Sequence, residues 1–244
     1  EMERWVNLIL FKKDEIARPL PAEDERAKHI LEVLRRQKGD DFDVGLIDGP
    51  KGKAVLEEIT AAGLVLEFRW GEEEPPLDPL VLIVGLSRPQ TNRKILREAT
   101  AVGVQRMLFA LTERGEPNYA SSRLWTTGEY KRHVLAGVEQ AFSTRVPQVE
   151  YGMSLEEALS EVGELDVRYA LDNYEQTVSM GQVRPKSGGG IALAVGSERG
   201  WTGRERDLLR DSGFLLAGMG ERVLRTETAV IAALALAKAA IGSW

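Results

Sequence analysis

From residue 80 onward, short apolar strands alternate with helical segments, and this alternation constrains the fold most strongly. It begins at Leu80–Leu86, a continuous apolar run typical of a strand buried on both faces. A helix is predicted over Thr91–Val102, with Gly103 at its C-terminal end. The alternation then continues to the end of the chain, which predicts a parallel sheet covered by helices. The remaining predicted strands are Val104–Leu111, Val167–Leu171, Ile191–Val195 and Phe214–Met219, and the remaining predicted helices are Glu129–Phe142, Gly203–Asp211 and Ala229–Ile241.

The chain before residue 80 has a different pattern. Apolar and polar residues alternate with period two in Asp41–Ile47, Ala54–Ile59 and Leu64–Trp70, and glycine-bearing turns separate these segments. This pattern favours a small β-barrel or sandwich. The acidic, proline-rich stretch that follows is typical of a linker. We therefore expect a barrel over residues 1–72, a linker over 73–79 and a larger α/β domain over 80–244.

Composition excludes several classes of protein. The 244 residues are 43% hydrophobic and 29% charged, as in ordinary globular proteins, and they include no cysteine. Disulfides, cysteine-rich zinc sites and thiol nucleophiles are thereby excluded. Only His29 and His133 are present, and because they are far apart in sequence we expect no metal site. The Ala229–Ile241 run is shorter than the roughly 20 residues of a membrane span, and Met2–Phe11 lacks a cleavage pattern, so we expect a cytoplasmic protein without a membrane anchor.

Charge is distributed unevenly along the chain. The formal net charge is −6, but the segment from Val84 to Arg145 holds ten basic and five acidic residues, which leaves −11 elsewhere. A polyanionic partner needs basic residues clustered on one face. The alternative is that these charges lie on solvated helix surfaces.

Two glycine turns lie close together near the C-terminus, at Val195–Gly200 and at Met219–Ala229. Glycine lets the main chain approach a ligand and adopt positive φ, so two such turns indicate the walls of a small-molecule pocket. The alternative is a pair of tight strand-to-helix turns without a ligand. Thr226 is expected to be the N-cap of the last helix.

A dinucleotide-binding site is a competing interpretation of the same glycines. Gly196, Gly200 and Gly203 partly resemble a dinucleotide fingerprint. Their order is wrong, however, and no acidic residue is obviously placed about 20 positions on to bind a ribose.

Three motifs in order along the chain carry a family resemblance. They are His29–Arg35 with Lys38–Asp40, then Glu139–Gln140 with Arg145–Pro147, then Gly196–Gly200 with Gly220–Ala229. Together they resemble the ribosomal RNA uridine-N3 methyltransferases of the SPOUT, or trefoil-knot, superfamily. The resemblance implies an N-terminal PUA-like barrel, a knotted α/β domain and S-adenosylmethionine as cofactor. It also implies ribosomal RNA of the small subunit as substrate and a homodimer with active sites at its interface.

The resemblance also assigns roles to residues. Ionising uridine N3 at neutral pH costs about 3 to 4 kcal/mol, which one well-placed cation could offset. Arg225 is the candidate for this catalytic cation, because it lies at the start of a helix beside the glycine turn at Gly220. Glu227 is less attractive as a base, because it could equally cap the last helix or pair with an arginine. The implied cofactor-binding residues are Leu171, Gly196, Glu198, Gly200, Met219, Gly220, Val223 and Leu224, and the implied RNA-binding residues are His29, Arg35, Arg36, Arg114 and Arg145.

The chain departs from the family pattern at several positions. Ser197 and Arg199 stand where the family usually has proline and glycine, and Ser143 stands where it often has arginine. A charged side chain at a cofactor wall weakens the case for methyl-donor binding. These departures keep open a non-catalytic or retargeted RNA-binding protein on the same scaffold.

Overall fold

The computed structural model describes residues 8–186 and 189–244, which separate into two compact units. Of the described residues, one unit contains those up to Pro76 together with Val138–Val146, and the other contains those of Leu77–Gly137 and Pro147–Trp244. No sequence pattern predicted that Val138–Val146 belongs to the first unit. The N-terminal run Met2–Phe11 is described from residue 8 onward, and its earlier residues lie outside the described part.

The described part of the N-terminal unit is built on a curled, mixed sheet of five strands. The strand order is β1-β3-β4-β5-β2, with β1 and β3 parallel and the other pairs antiparallel. Its core includes Phe11, Ile30, Phe42 and Leu56, all almost fully buried. This half-barrel confirms the predicted PUA-like β-barrel class. Its elements are β1 Ile9–Phe11, β2 Leu20–Pro21, α1 Glu25–Lys28 with a π-helical turn over His29–Val33, β3 Asp41–Leu46, β4 Pro50–Thr60 and β5 Gly63–Glu73.

The described part of the second unit is built on a sheet of seven strands in the order β10-β12-β9-β11-β6-β7-β8. Every neighbouring pair is parallel, which confirms the predicted parallel sheet. In register, Val195 lies opposite Val84 on one side and Leu171 on the other, so three strands end at the same edge. The strands are β6 Leu80–Gly85, β7 Arg106–Leu111, β8 Gln148–Ser154, β9 Val167–Leu171, β10 Val178–Ser179, β11 Ile191–Val195 and β12 Leu215–Gly218.

All four predicted helices are present, whereas the short helices Arg123–Thr126 and Leu155–Ser160 were not predicted. The first long helix ends at Val102, and Gly103 is its C-cap, with a left-handed φ of 93° as expected for a glycine there. The helix predicted over Gly203–Asp211 has those bounds in the structure. The helices are α2 Pro89–Val102, α3 Arg123–Thr126, α4 Glu129–Gln140, α5 Leu155–Ser160, α6 Gly203–Asp211 and α7 Thr226–Ile241, with 3₁₀ turns at Pro117–Tyr119 and Met180–Gln182.

The last helix begins three residues earlier than predicted. Arg225 is its N-cap, with extended backbone angles and no side-chain capping bond, while Thr226 already lies inside the helix. The prediction of Thr226 as N-cap was therefore wrong, because the helix continues through the polar first turn. Its buried side chains include Val230, Ala233 and Leu234, and the helix packs on α2 and β11. None of the described helices is both long and apolar enough to cross a membrane.

Candidate cofactor site

Three loops at the carboxyl edge of the parallel sheet enclose a cavity of about 260 Å³. They follow β9, β11 and β12. The first two contribute residues 171–174 and 195–201 to its wall, and the third contributes Ala217, Met219, Arg222, Val223, Leu224, Thr226 and Ala229. Ligands of parallel α/β sheets bind at this edge, because the loops there converge beyond the strand ends. The two glycine turns singled out in the sequence therefore do lie on one cavity.

Most of the residues predicted to bind a cofactor are on this wall. The structure places there Leu171, Gly196, Glu198, Gly200, Met219, Val223 and Leu224. Gly220 is not part of the wall; its φ of 92° turns the chain between Met219 and the helix. Arg225 is also outside the wall, exposed and directly after Leu224. The roles of all these residues remain predictions.

The first glycine turn is closely packed. A Cβ atom added at Gly196 would lie 3.1 Å from Cα of Gly200, whose own φ is 67°. A Cβ atom at Gly85, the last residue of β6, would lie only 2.4 Å from the main-chain nitrogen of Ser197. Gly85 thus fixes how closely this turn approaches β6. Sequence reasoning missed it, although a glycine that ends a buried strand is a sign of close backbone approach.

The second glycine turn leaves its main chain available. Among the described residues, the main-chain amides from Met219 to Leu224 donate no hydrogen bond within the protein. Val223 is 80% exposed although it lines the cavity. Main-chain amides without a partner and the exposed apolar side chain of Val223 are suited to a ligand that has both polar and apolar groups.

The loop after β9 is held by an aspartate that sequence reasoning missed. Oδ1 of Asp172 accepts hydrogen bonds from the main-chain amides of Tyr174 and Glu175, at 2.8 and 2.6 Å. The indole nitrogen of Trp201 donates to the carbonyl oxygen of Leu171 at 3.0 Å, which links this loop to the first glycine turn. An aspartate directly after a strand is a recognisable turn signal and could have been found.

Glu198 is held in its ionised form. Its Oε1 accepts hydrogen bonds from the main-chain amide of Arg88 at 3.1 Å and from the hydroxyl of Thr91 at 3.4 Å. Burial acts to raise the pKa of this carboxyl, but the hydrogen bonds, first of all that of the Arg88 amide, outweigh it and lower the pKa overall. The cavity wall therefore includes a fixed negative charge.

Glu227 is a poor candidate for a base. Its own main-chain amide, and then Lys94 at 3.2 Å, lower the pKa of its carboxyl despite partial burial. A lowered pKa makes a carboxylate a weaker base. Within the described residues, no group of three histidine, cysteine or acidic side chains is arranged to hold a metal ion.

The residues predicted to bind RNA lie in several places. His29 begins the π-helical turn, and the exposed Arg35 has a φ of 53°. In the part of the chain that the structure describes, the buried Nε of Arg36 has no hydrogen-bond partner. Arg114 donates to the carbonyl oxygen of Arg199 at 3.2 Å.

Arg145 is engaged inside the N-terminal unit. It donates to the carbonyl oxygens of Glu74 at 2.9 Å and Asp48 at 2.7 Å, and its main-chain amide donates to Ser143 at 3.2 Å. A phosphate contact would have to replace some of these guanidinium bonds. The hydroxyl of Ser143, which stands where the family often has arginine, accepts this hydrogen bond from the Arg145 amide.

Comparison with known proteins identifies the class. Residues 73–238 match the family of the RNA methyltransferase domain. A Ribosomal RNA small subunit methyltransferase E from Treponema pallidum is 34% identical over 98% of this chain and 93% of its own length. A Ribosomal RNA small subunit methyltransferase E 1 from Borreliella burgdorferi is 26% identical over 93% of this chain and 95% of its own. The chain belongs to the ribosomal RNA small subunit methyltransferase E family of RNA methyltransferases.

A solved structure shares the fold. The crystal structure of a Ribosomal RNA small subunit methyltransferase E from Neisseria gonorrhoeae, bound to S-adenosyl methionine, matches this chain with a TM-score of 0.76. The match covers 96% of this chain and 97% of that one at 24% identity. The predicted combination of a PUA-like barrel and a SPOUT domain is therefore confirmed.

Proposed function

We propose that this protein transfers a methyl group from S-adenosylmethionine to ribosomal RNA of the small subunit, at N3 of a uridine. Family membership and the cavity at the carboxyl edge of the sheet support this function. The single observation that carries it is the convergence of three loops on that cavity, with seven of the eight residues expected for the cofactor on its wall.

The residues of the cavity fit S-adenosylmethionine. Apolar side chains such as Leu171 and Leu224 offer surfaces for the adenosyl group, and the free amides from Met219 to Leu224 offer donors. The ionised Glu198 is compatible with a cationic ligand. Bound there, the cofactor would supply an activated methyl group on a sulfonium. The protein then has to hold the uridine in line with it and remove the N3 proton.

Arg225 is the proposed catalytic residue. It is the exposed N-cap of α7, directly after cavity residue Leu224, and within the described residues its guanidinium has no hydrogen bond or ion pair. A cation beside N3 stabilises the anion that forms when the proton leaves. Glu227 is not proposed as the base, because its lowered pKa opposes that role.

The N-terminal half-barrel is proposed to contact the RNA through His29, Arg35 and Arg36, with Arg114 and Arg145 as further contacts. Since the substrate belongs to the ribosome, we place the protein in the cytoplasm.

We also propose a homodimer. Tyr174 and Val223 line the cavity yet are 78% and 80% exposed, and a second copy that covered them would complete the wall. Light scattering tests this directly: the proposal requires twice the mass of the chain, and a monomer at micromolar concentration contradicts it.

The function is tested by methylation of unmodified small subunits with purified protein and S-adenosylmethionine, followed by mass spectrometry of the nucleosides. We expect 3-methyluridine. A methylated nucleoside of another kind would refute the uridine-N3 assignment but retain methyl transfer. No methylated nucleoside at all would favour the non-catalytic RNA-binding alternative, which the presence of Arg199 on the cavity wall keeps open.

A further inference from the structure

A second hollow, of about 290 Å³, lies beside the cofactor cavity. The two share one wall, formed by Ser197, Glu198 and Arg199. The opposite side of the hollow comes from Arg88, Arg114 and Tyr119. A ligand in this hollow would therefore be separated from the cofactor only by the first glycine turn.

The hollow is lined by three guanidinium groups and two carboxylates. Arg88 lies 3.4 Å from Glu198, so these two charges largely offset each other. Arg114 donates one hydrogen bond to the carbonyl oxygen of Arg199, and its other N–H donors make no hydrogen bond with a described residue. In the described part of the chain, the Arg199 side chain makes no hydrogen bond or ion pair. The remaining carboxylate, Glu116, is exposed and accepts a weak bond of 3.4 Å from Asn118.

A buried hydroxyl in the shared wall has no hydrogen-bond partner in the described part of the chain. Ser197 is only 6% exposed, and its Oγ makes no hydrogen bond with any described residue. The close approach of Gly85 to the Ser197 amide keeps this residue in place. Buried polar groups are nearly always paired, so an unpaired hydroxyl beside a cationic hollow indicates a donor that is used when a ligand binds.

We propose that this hollow binds a phosphate of the RNA strand, next to the nucleotide that is methylated. This inference rests on the proposed function. Arginine is suited to phosphate because its planar fork of donors matches two phosphate oxygens, and such contacts fix the register of a nucleic acid without reading its sequence. A phosphate held here would position the neighbouring nucleotide at the cofactor cavity. Arg199, which departs from the family pattern, is then a substrate contact.

The carboxylate of the cofactor's own methionyl group is also an anion that suits this hollow. The test must therefore distinguish binding of an RNA phosphate from binding of the cofactor. We would compare wild-type protein with an Arg114→Ala/Arg199→Ala variant. Arg97→Ala/Arg132→Ala is the matched control, because it also removes two exposed arginines whose neighbouring carboxylates are Glu98 and Glu129. Fluorescence anisotropy with a labelled fragment of small-subunit ribosomal RNA, over a range of salt concentrations, gives RNA affinity, and calorimetry gives S-adenosylmethionine affinity.

We expect the Kd for RNA at 0.15 M salt to rise about tenfold in the double variant, and the slope of log K against log salt to fall by about 1.4, since each single-strand contact contributes about 0.7. The control should match wild type in both affinities. The double variant should keep or increase its affinity for S-adenosylmethionine, because Arg199→Ala removes a positive charge from the wall of a cavity that would hold a sulfonium cation. RNA binding equal to wild type, or a loss confined to S-adenosylmethionine, would overturn the proposal.

Ser197→Ala gives a second, independent readout. Because the hydroxyl has no partner among the described residues, its removal should leave Tm unchanged or raise it, while RNA binding weakens. A lower Tm with unchanged RNA binding would show a purely structural hydroxyl and contradict its part in the site. These measurements follow RNA binding rather than methylation, so a wild-type protein that binds RNA without methylating it would refute the proposed function alone.

Discussion

Arg206 and Asp172 form a buried ion pair beside the cofactor cavity, with Nε of the arginine 2.7 Å from Oδ2 of the aspartate. Their side chains are only 8% and 2% exposed. The other oxygen of Asp172 holds the loop after β9, so the pair joins α6 to one wall of the cavity. The guanidinium also lies 5.3 Å from the centre of the Tyr174 ring, which belongs to the same loop.

We predict that Arg206→Ala lowers the free energy of unfolding by about 3 to 5 kcal/mol, because Asp172 would be left as an unpaired buried charge. Binding of S-adenosylmethionine should weaken as well, since the loop loses its anchor. Chemical denaturation and calorimetry measure the two effects. Arg204→Ala, on the same helix but with a side chain 74% exposed, should change neither. Equal behaviour of the two variants would show that the buried pair does not hold the loop.

Gly85→Ala should destabilise the protein by about 1 to 3 kcal/mol through overpacking, because the new Cβ would lie 2.4 Å from the Ser197 nitrogen. The first glycine turn would have to move, so affinity for S-adenosylmethionine should fall too. Thermal unfolding and calorimetry provide the measurements. Gly203→Ala is the control, since a Cβ there meets nothing within 4 Å and its Tm should equal that of wild type or exceed it. A Gly85→Ala protein with normal Tm and affinity would contradict this account of the turn.

Glu129 should make stability depend on pH under acidic conditions. Hydrogen bonds from Arg93, at 2.7 Å, and then from His133 lower the pKa of its carboxyl from 4.5 to about 2. The folded-state pKa is depressed, so the stabilisation is fully present above about pH 4.5 and is lost as pH falls toward 2. Glu129→Gln should therefore have a lower Tm than wild type at pH 7, and the difference should shrink through that window. A difference in Tm that stays constant from pH 7 to pH 2.5 would rule out this linkage.

Arg225→Ala should reduce methyl transfer by about 10² to 10³-fold, the usual effect of removing one group that stabilises developing negative charge. Tm and affinity for S-adenosylmethionine should stay at wild-type values, because the side chain is exposed and outside the cavity wall. Arg225→Lys, which keeps a positive charge, should recover part of the rate. Unchanged methylation by Arg225→Ala would remove this residue from the catalytic role.

Much of the second unit could be predicted from sequence because its signals are local. The strands Val167–Leu171 and Ile191–Val195 are apolar runs with clear ends, and both have the predicted bounds. The glycine turns likewise indicated a cavity, because positive φ and close approach need glycine wherever they occur.

Other features depend on contacts between distant segments and could not be predicted. Strand β8 contains glutamate, glycine and serine, so it lacks an apolar run and is defined by its pairing with β7. The placement of Val138–Val146 with the N-terminal unit follows from contacts such as the bond from Lys51 to the Phe142 carbonyl, 91 positions away. In the sequence, Arg206 cannot be distinguished from an arginine on a helix surface, and only the structure shows its ion pair with Asp172.

Calorimetric titration of the wild-type protein with S-adenosylmethionine tests the central claim most directly. If the loops after β9, β11 and β12 form a cofactor site, the titration should give saturable heat with one site per chain, and NAD at the same concentration should give none. Absence of heat from S-adenosylmethionine at protein concentrations of about 10 to 50 μM, well above the Kd expected of a functional cofactor site, would contradict the assignment of this cavity to the methyl donor.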